Sequence, residues 1–142
     1  MESKINLAIK EITTEVENFQ HNLSIIKLRN LLINEILQIT DTKLNGSRIN
    51  RLSGNANITF KGLEAETIVL YLNQHGIYVS AGSACSANTM KNSHVLEAIN
   101  VKDNGAVRFS LGKDTTGEDI IKVIEVVKKV ISSLKEAKQI TI

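Results

Sequence analysis

From residue 5 onward, Ile5, Ile9, Ile12, Val16, Phe19, Leu23 and Ile26 follow one another at alternating steps of four and three, and Leu28, Leu32, Ile36 and Ile39 continue on a shifted stripe. That spacing belongs to an α-helix, which returns a side chain to the same face every third or fourth position. Residues 4–39 therefore read as one long helix, or as two with a bend. At 1.5 Å per residue such a helix reaches about 50 Å, more than a small domain needs to cover its own sheet. Part of it is expected to pack on something else.

The remaining segments alternate between the two periodicities. Residues 41–46 read as a turn or short edge strand, and residues 57–60 as a strand with Ile58 and Phe60 on one face. Helical period returns over residues 64–74, where Ala65, Ile68, Val69 and Leu72 form the apolar stripe and Gly76 is placed to cap the C-terminus. Residues 77–79 read as a second strand, and Ser93 as the cap of a short helix through Ile99. In the third strand, residues 106–111, Val107, Phe109 and Leu111 share a face and leave Arg108 and Ser110 on the other. Thr115 and Thr116, with Glu118 and Asp119 three residues on, offer capping boxes for a last helix whose stripe is Ile120, Ile124, Val127, Ile131 and Leu134. Strands separated by helices or long loops, with helices at both ends, predict an α+β fold: a small, mostly antiparallel sheet of three or four strands packed with helices and preceded by a long amino-terminal helix. The polar stretch of residues 46–57 has the least regular pattern. Proline is absent, so turns must rest on glycine, asparagine, aspartate and serine.

A length of 142 residues, 42% of them hydrophobic, suits one compact domain rather than two. The 17 basic residues leave a net charge of only +2 and do not cluster with aromatics, which argues against nucleic-acid binding. No apolar run approaches the roughly 20 residues that span a bilayer, and the amino terminus lacks the charged and apolar regions of a signal peptide. A single cysteine forms neither an internal disulfide nor a protein-only zinc site. The expectation is a soluble cytoplasmic chain with no metal site of its own.

That cysteine carries the strongest chemical signal. Cys85 sits in Ser80-Ala81-Gly82-Ser83-Ala84-Cys85-Ser86-Ala87, whereas a buried structural cysteine normally sits among large apolar side chains. Glycine, alanine and serine leave the backbone free to move and the sulfur reachable, which favours a nucleophile over a packed thiol. Arg108 has two readings, a strand arginine in a surface ion pair or a fork for a carboxylate. His94 opens a helix, where capping or packing competes with acid–base chemistry, and His21 and His75 read as structural or solvated.

Taken together, Leu44-Asn45-Gly46, Asn57-Ile58-Thr59-Phe60, Gly82-Ser83-Ala84-Cys85, Ser93-His94-Val95-Leu96 and Val107-Arg108-Phe109-Ser110-Leu111-Gly112, followed by Thr115-Thr116 and Glu118, resemble the carboxy-terminal small domain of the cysteine desulfurases, pyridoxal-phosphate enzymes of the class V aminotransferase fold. The resemblance covers residues 5–134. It implies that Cys85 is the catalytic nucleophile that accepts sulfur from L-cysteine as a persulfide, and that Arg108 holds the substrate carboxylate. It further implies delivery of sulfur to an acceptor or scaffold protein in iron–sulfur cluster or thio-cofactor biosynthesis, with Cys85 a candidate transient cluster ligand. Residues 1–40 would be the linking helix and 41–142 the sheet-and-helix core. The family's cofactor lysine follows a histidine, and no His-Lys pair occurs here. The large cofactor-binding domain is accordingly expected upstream of residue 1, no residue of this chain is assigned to the cofactor, and the chain alone is expected to be inactive. Ser53, Lys61 and Asn92 stand where the family often has proline, and Ser86 where threonine is common after the nucleophile. Alternatives are a stand-alone persulfide carrier, or a vestigial domain that homo-oligomerises through the long helix. A separate large-domain chain would be the partner in a split enzyme.

Overall fold

A computed structural model describes residues 4–82 and 104–140. Helix α1 spans Lys4–Ile36 without interruption, followed by β1 (Thr42–Leu44), β2 (Asn55–Phe60), α2 (Ala65–Gln74), β3 (Ser80–Ala81), β4 (Ala106–Ser110) and α3 (Gly117–Ile140). The four strands form one antiparallel sheet in the order β1-β2-β4-β3, giving the α+β architecture expected.

Strand register sorts the side chains into two faces. Ala56 pairs with Phe109, Ile58 with Val107 and with Leu44, and Ala81 with Val107, so one face is apolar except for Thr42, which pairs with Phe60 at the sheet edge. It closes against Leu32, Ile33 and Ile36 of α1, Ile68 and Leu72 of α2, and Ile120, Ile124, Val127 and Ile131 of α3 in a single buried core. Fully burying each of these side chains contributes about 1.5–3 kcal/mol, the main driving term for the fold. Lys43, Asn55, Asn57, Thr59, Ser80, Arg108 and Ser110 alternate with them and belong to the opposite face.

The helix ends follow from local chemistry. Past Ile36 the bonds of α1 tighten from Leu37 N–H to Ile33 C=O (2.9 Å) to Ile39 N–H to Ile36 C=O (3.0 Å). Asp41 then turns the chain with φ 63°, and the Thr42 hydroxyl donates to the Ile39 carbonyl (2.7 Å). The helix thus stops three residues before the apolar stripe does, because the last turn is 3₁₀-like and capped. Gly76, at φ 77°, lets α2 finish with Ile77 N–H bonded to Leu72 C=O and Gly76 N–H to Asn73 C=O, each at 3.0 Å. At the start of α3 the backbone N–H of Thr116 donates to Asp119 Oδ2 (2.9 Å) and that of Asp119 to Thr116 Oγ1 (3.2 Å), the reciprocal pattern of a capping box.

Two expectations need correction. The strand placed at residues 77–79 lies instead at Ser80–Ala81, since only there does the backbone pair with Arg108 and Val107 of β4. The loop expected over residues 46–57 ends at Gly54: β2 begins at Asn55, and Ser47 ties the turn by accepting from Ile49 (3.2 Å) and Asn50 (2.9 Å) N–H. Gly54 has no room for a side chain, because a Cβ there would meet the Leu111 carbonyl oxygen at 2.2 Å. The short helix expected from Ser93 lies outside the described residues.

Candidate functional site

Arg108 occupies the middle of β4, half-buried, with Asn57 of β2 and Ser80 of β3 as its cross-strand neighbours on the polar face. Its Nη2 lies 3.5 Å from Ser80 Oγ, a weak contact, and its Nε is buried with no hydrogen-bond partner among the described residues. No carboxylate pairs with it among them either; the ion pairs found there join Lys128 to Glu35 and Lys135 to Asp41. A guanidinium with one buried, unpartnered N–H and no carboxylate partner among the described residues leaves hydrogen-bonding capacity that an anion could fill.

The residue beside it, Asn57, is a neutral amide held by other polar side chains. Asn45 Nδ2 donates to Asn57 Oδ1 and to Thr59 Oγ1, both at 2.8 Å. The Asn57 oxygen thus accepts from Asn45, and no hydrogen bond joins it to Arg108 among the described residues. Asn45 and Thr59 are buried, and Asn45 Oδ1 is a second buried polar atom without a partner among the described residues. The Asn45 backbone is fixed in turn by Arg51, whose Nη2 donates to the Asn45 carbonyl (2.6 Å), Nη1 to Asn55 C=O (3.2 Å) and Nε to Ser47 C=O (2.7 Å). Burial, reinforced by Arg29 and Arg48, pushes the Arg51 pKa down. Arg29, buried on α1, bonds to Asn30 Oδ1 (3.0 Å) and Leu52 C=O (3.2 Å), and burial lowers its pKa too. These supporting residues carried no signal in the pattern of apolar positions; the motifs Leu44-Asn45-Gly46 and Asn57-Ile58-Thr59-Phe60 marked the segments but not the contacts.

Cys85, Ser93 and His94 lie outside the described residues. His21 is exposed on α1, and His75, exposed at the end of α2, has Nδ1 2.9 Å from the Tyr71 carbonyl oxygen, a local contact.

The described residues do not fit pyridoxal phosphate. A Schiff-base lysine works from a desolvated pocket, whereas every described lysine is exposed or half-exposed. The two half-exposed ones are already bound, Lys128 to Glu35 (2.9 Å) and Lys135 to the Thr40 carbonyl (2.6 Å). No group of three or more metal-ligating side chains occurs among the described residues. Nor is any helix among them long and apolar enough to cross a membrane. A cleft of about 280 Å³ between residues 76–79, the end of β4 and the start of α3 includes Thr115 and Asp119, whose side chains are held in local capping bonds, and Arg108 does not line it.

The family model described as aminotransferase class-V matches residues 5–123. Over 132 residues the chain is 41% identical to cysteine desulfurase IscS of Methanosarcina thermophila, covering 91% of this chain and 32% of the relative. It is also 41% identical over 139 residues to cysteine desulfurase IscS of Dictyoglomus turgidum, covering 95% and 34%. Among solved structures it superposes on a NifS-like protein with TM-score 0.68 and 26% identity, over 88% of this chain and 31% of that one. A NifS-like protein from Rickettsia africae, at 24% identity and TM-score 0.67 over 78% of this chain and 29% of that one, shares the fold. The chain spans about a third of the length of the curated relatives it matches.

Proposed function

The chain belongs to the aminotransferase class-V family, and from that premise we propose that it is the small-domain portion of a cysteine desulfurase, contributing a carboxylate clamp and a sulfur-accepting thiol. The observation that supports this best is Arg108, which has no carboxylate partner among the described residues and whose buried Nε and neighbouring Nη groups form a fork matched to one carboxylate. Lysine, a compact point charge, does not reproduce that fork. L-cysteine carries such a carboxylate.

Cys85 is the second contribution. Its thiolate attacks an electrophilic sulfur; a new S–S bond forms, the bond between that sulfur and its donor breaks, and the electron pair leaves with the donor. The resulting Cys85 persulfide passes its outer sulfur to the thiolate of an acceptor or scaffold protein. The small residues around Cys85 leave the backbone free for such delivery. In a complete desulfurase, pyridoxal phosphate supplies the electron sink that weakens the carbon–sulfur bond of the substrate. Without a fitting lysine among the described residues, this chain takes part in that chemistry only when completed by a cofactor-binding large domain, in the same or a partner chain. A lone thiol suits the reducing cytoplasm.

The test uses the purified chain, alone and mixed with the large domain of a class V relative. The chain alone, given L-cysteine and pyridoxal phosphate, should release no alanine, and the mixture should release it catalytically. In the mixture, Arg108→Lys should raise KM for L-cysteine about tenfold or more. Catalytic turnover by the chain alone, or an unchanged KM in the variant, refutes the assignment. Intact-mass analysis after exposure to a persulfide donor addresses the carrier reading: one added sulfur atom, removable by thiol and absent in Cys85→Ser, shows that the thiol accepts sulfur without the cofactor.

A further inference from the structure

Arg108 belongs to a row of side chains that crosses the whole polar face of the sheet. Asn45 N–H bonds to the Asn57 carbonyl (2.9 Å) just past the end of β1, Asn57 pairs with Arg108, and Arg108 pairs with Ser80. Asn45, Asn57 and Ser80 are all neutral. The other strand residues of this face, Lys43, Asn55, Thr59, Ala106 and Ser110, include no acid. Nothing on the face of the described strands therefore competes with an incoming anion for the guanidinium.

The Asn57 amide is turned by its neighbour. Both N–H bonds of Asn45 Nδ2 are used, one on Asn57 Oδ1 and one on Thr59 Oγ1, each at 2.8 Å. The Asn57 oxygen thus faces β1, and Nδ2, at the other corner of the same planar amide, faces away from Asn45. Asn57 is half-buried, yet its Nδ2 makes no hydrogen bond among the described residues and stays open to solvent. Directly paired residues on adjacent antiparallel strands hold their Cβ atoms about 5 Å apart. A neutral N–H donor and a charged donor group consequently stand side by side, and an anion lying between them bonds to both. One cation and one neutral donor match a single negative charge, as on a carboxylate, better than they match a phosphate dianion.

We propose that Asn57 is a second binding residue for the substrate carboxylate, its Nδ2 donating to one oxygen while the Arg108 guanidinium holds the charge. This deepens the reading of Arg108 as a carboxylate clamp and rests on it. Heteronuclear NMR of the full chain tests the pair directly. Titration with sodium acetate, against sodium chloride at equal ionic strength, should move the Asn57 side-chain NH2 and Arg108 Nε–H signals along one binding curve, and Arg108→Met should abolish the Asn57 shift. Movement of the Arg108 signal without that of Asn57 overturns the proposal and leaves the clamp standing; movement of neither removes both. In the complemented enzyme, Asn57→Ala should raise KM for L-cysteine about tenfold with kcat changed by less than about twofold, as expected for one lost hydrogen bond to a charged group. Asn57→Asp, of the same shape but with a negative charge where the donor stood, should raise KM further. A folding defect would instead lower kcat through the fraction of active complex. If Arg108→Lys raises KM and both Asn57 variants leave it unchanged, Asn57 does not touch the carboxylate and the proposal alone fails.

Discussion

The two faces of the sheet are built from alternate residues of the same strands and obey different rules. On one, Ile58, Phe60, Val107 and Phe109 are buried in a single apolar cluster with side chains of the three helices. On the other, Asn45, Asn57 and Thr59 form a hydrogen-bonded group beside Arg108, and two buried polar atoms, Asn45 Oδ1 and Arg108 Nε, lack partners among the described residues. An unsatisfied buried polar atom costs stability. The apolar face carries the fold, and the polar face bears that cost where a ligand would remove it.

Substitutions on the two faces should therefore separate stability from binding. The largest effect belongs to the apolar face: Phe60→Ala, at a fully buried position, should cost about 3–5 kcal/mol in chemical denaturation through lost burial and a residual cavity. If the chain tolerates it with less than about 1 kcal/mol, the face does not form the close-packed core described. Next comes the support beneath the arginine. Asn45→Ala removes both bonds to Asn57 and Thr59 and should cost about 1–3 kcal/mol. It also frees Asn57 Oδ1 to accept from Arg108, so in a complemented enzyme KM for L-cysteine should rise, a change that a purely structural role would not produce.

Much of this division was legible in the amino-acid order. Alternation over residues 106–111 put Arg108 opposite the apolar layer, and Gly76 and Thr116 announced the ends of two helices, because those signals are local. The displaced third strand shows the limit. Residues 77–79 have the better β-forming side chains, yet pairing falls on Ser80 and Ala81, since register against β4 is decided by tertiary packing. Burial of Arg29 and Asn45 was invisible for a similar reason: polar residues give no periodic signal, and Leu52, one partner of Arg29, and Asn57 and Thr59, the partners of Asn45, are distant in sequence. The exposure of Ile5, Ile9, Ile12, Val16, Phe19 and Leu23 on α1 was foreshadowed by helix length alone.

Arg108→Met sharpens the comparison from the other side. Replacing a half-buried charge that has no ion-pair partner among the described residues with an apolar chain of similar length should change stability by less than about 1 kcal/mol, in either direction. Carboxylate binding in the complemented enzyme should nevertheless be lost. A destabilisation as large as that of Phe60→Ala would mean that Arg108 is a structural member of the sheet, and the contrast between the faces would disappear.

The smallest effect lies outside both faces and calibrates them. Asp119 accepts the Thr116 backbone N–H, and this bond, joined by the Thr116 side chain, holds its carboxyl below the usual carboxylate range. A carboxylate with a depressed folded-state pKa contributes stability above its unfolded pKa, about 3.9, and loses it as pH falls through the folded value. Asp119→Asn keeps an oxygen for the same N–H but cannot titrate. The stability difference between wild type and variant should therefore be flat from neutral pH to about 5, then move against the wild type below about 4. Thermal melts across that range check it: a difference that stays constant through the acid limb would show that the carboxylate gains nothing from the cap. Because Asp119 is exposed, its effect should stay smaller than that of Asn45→Ala, whose loss leaves Thr59 buried without its partner.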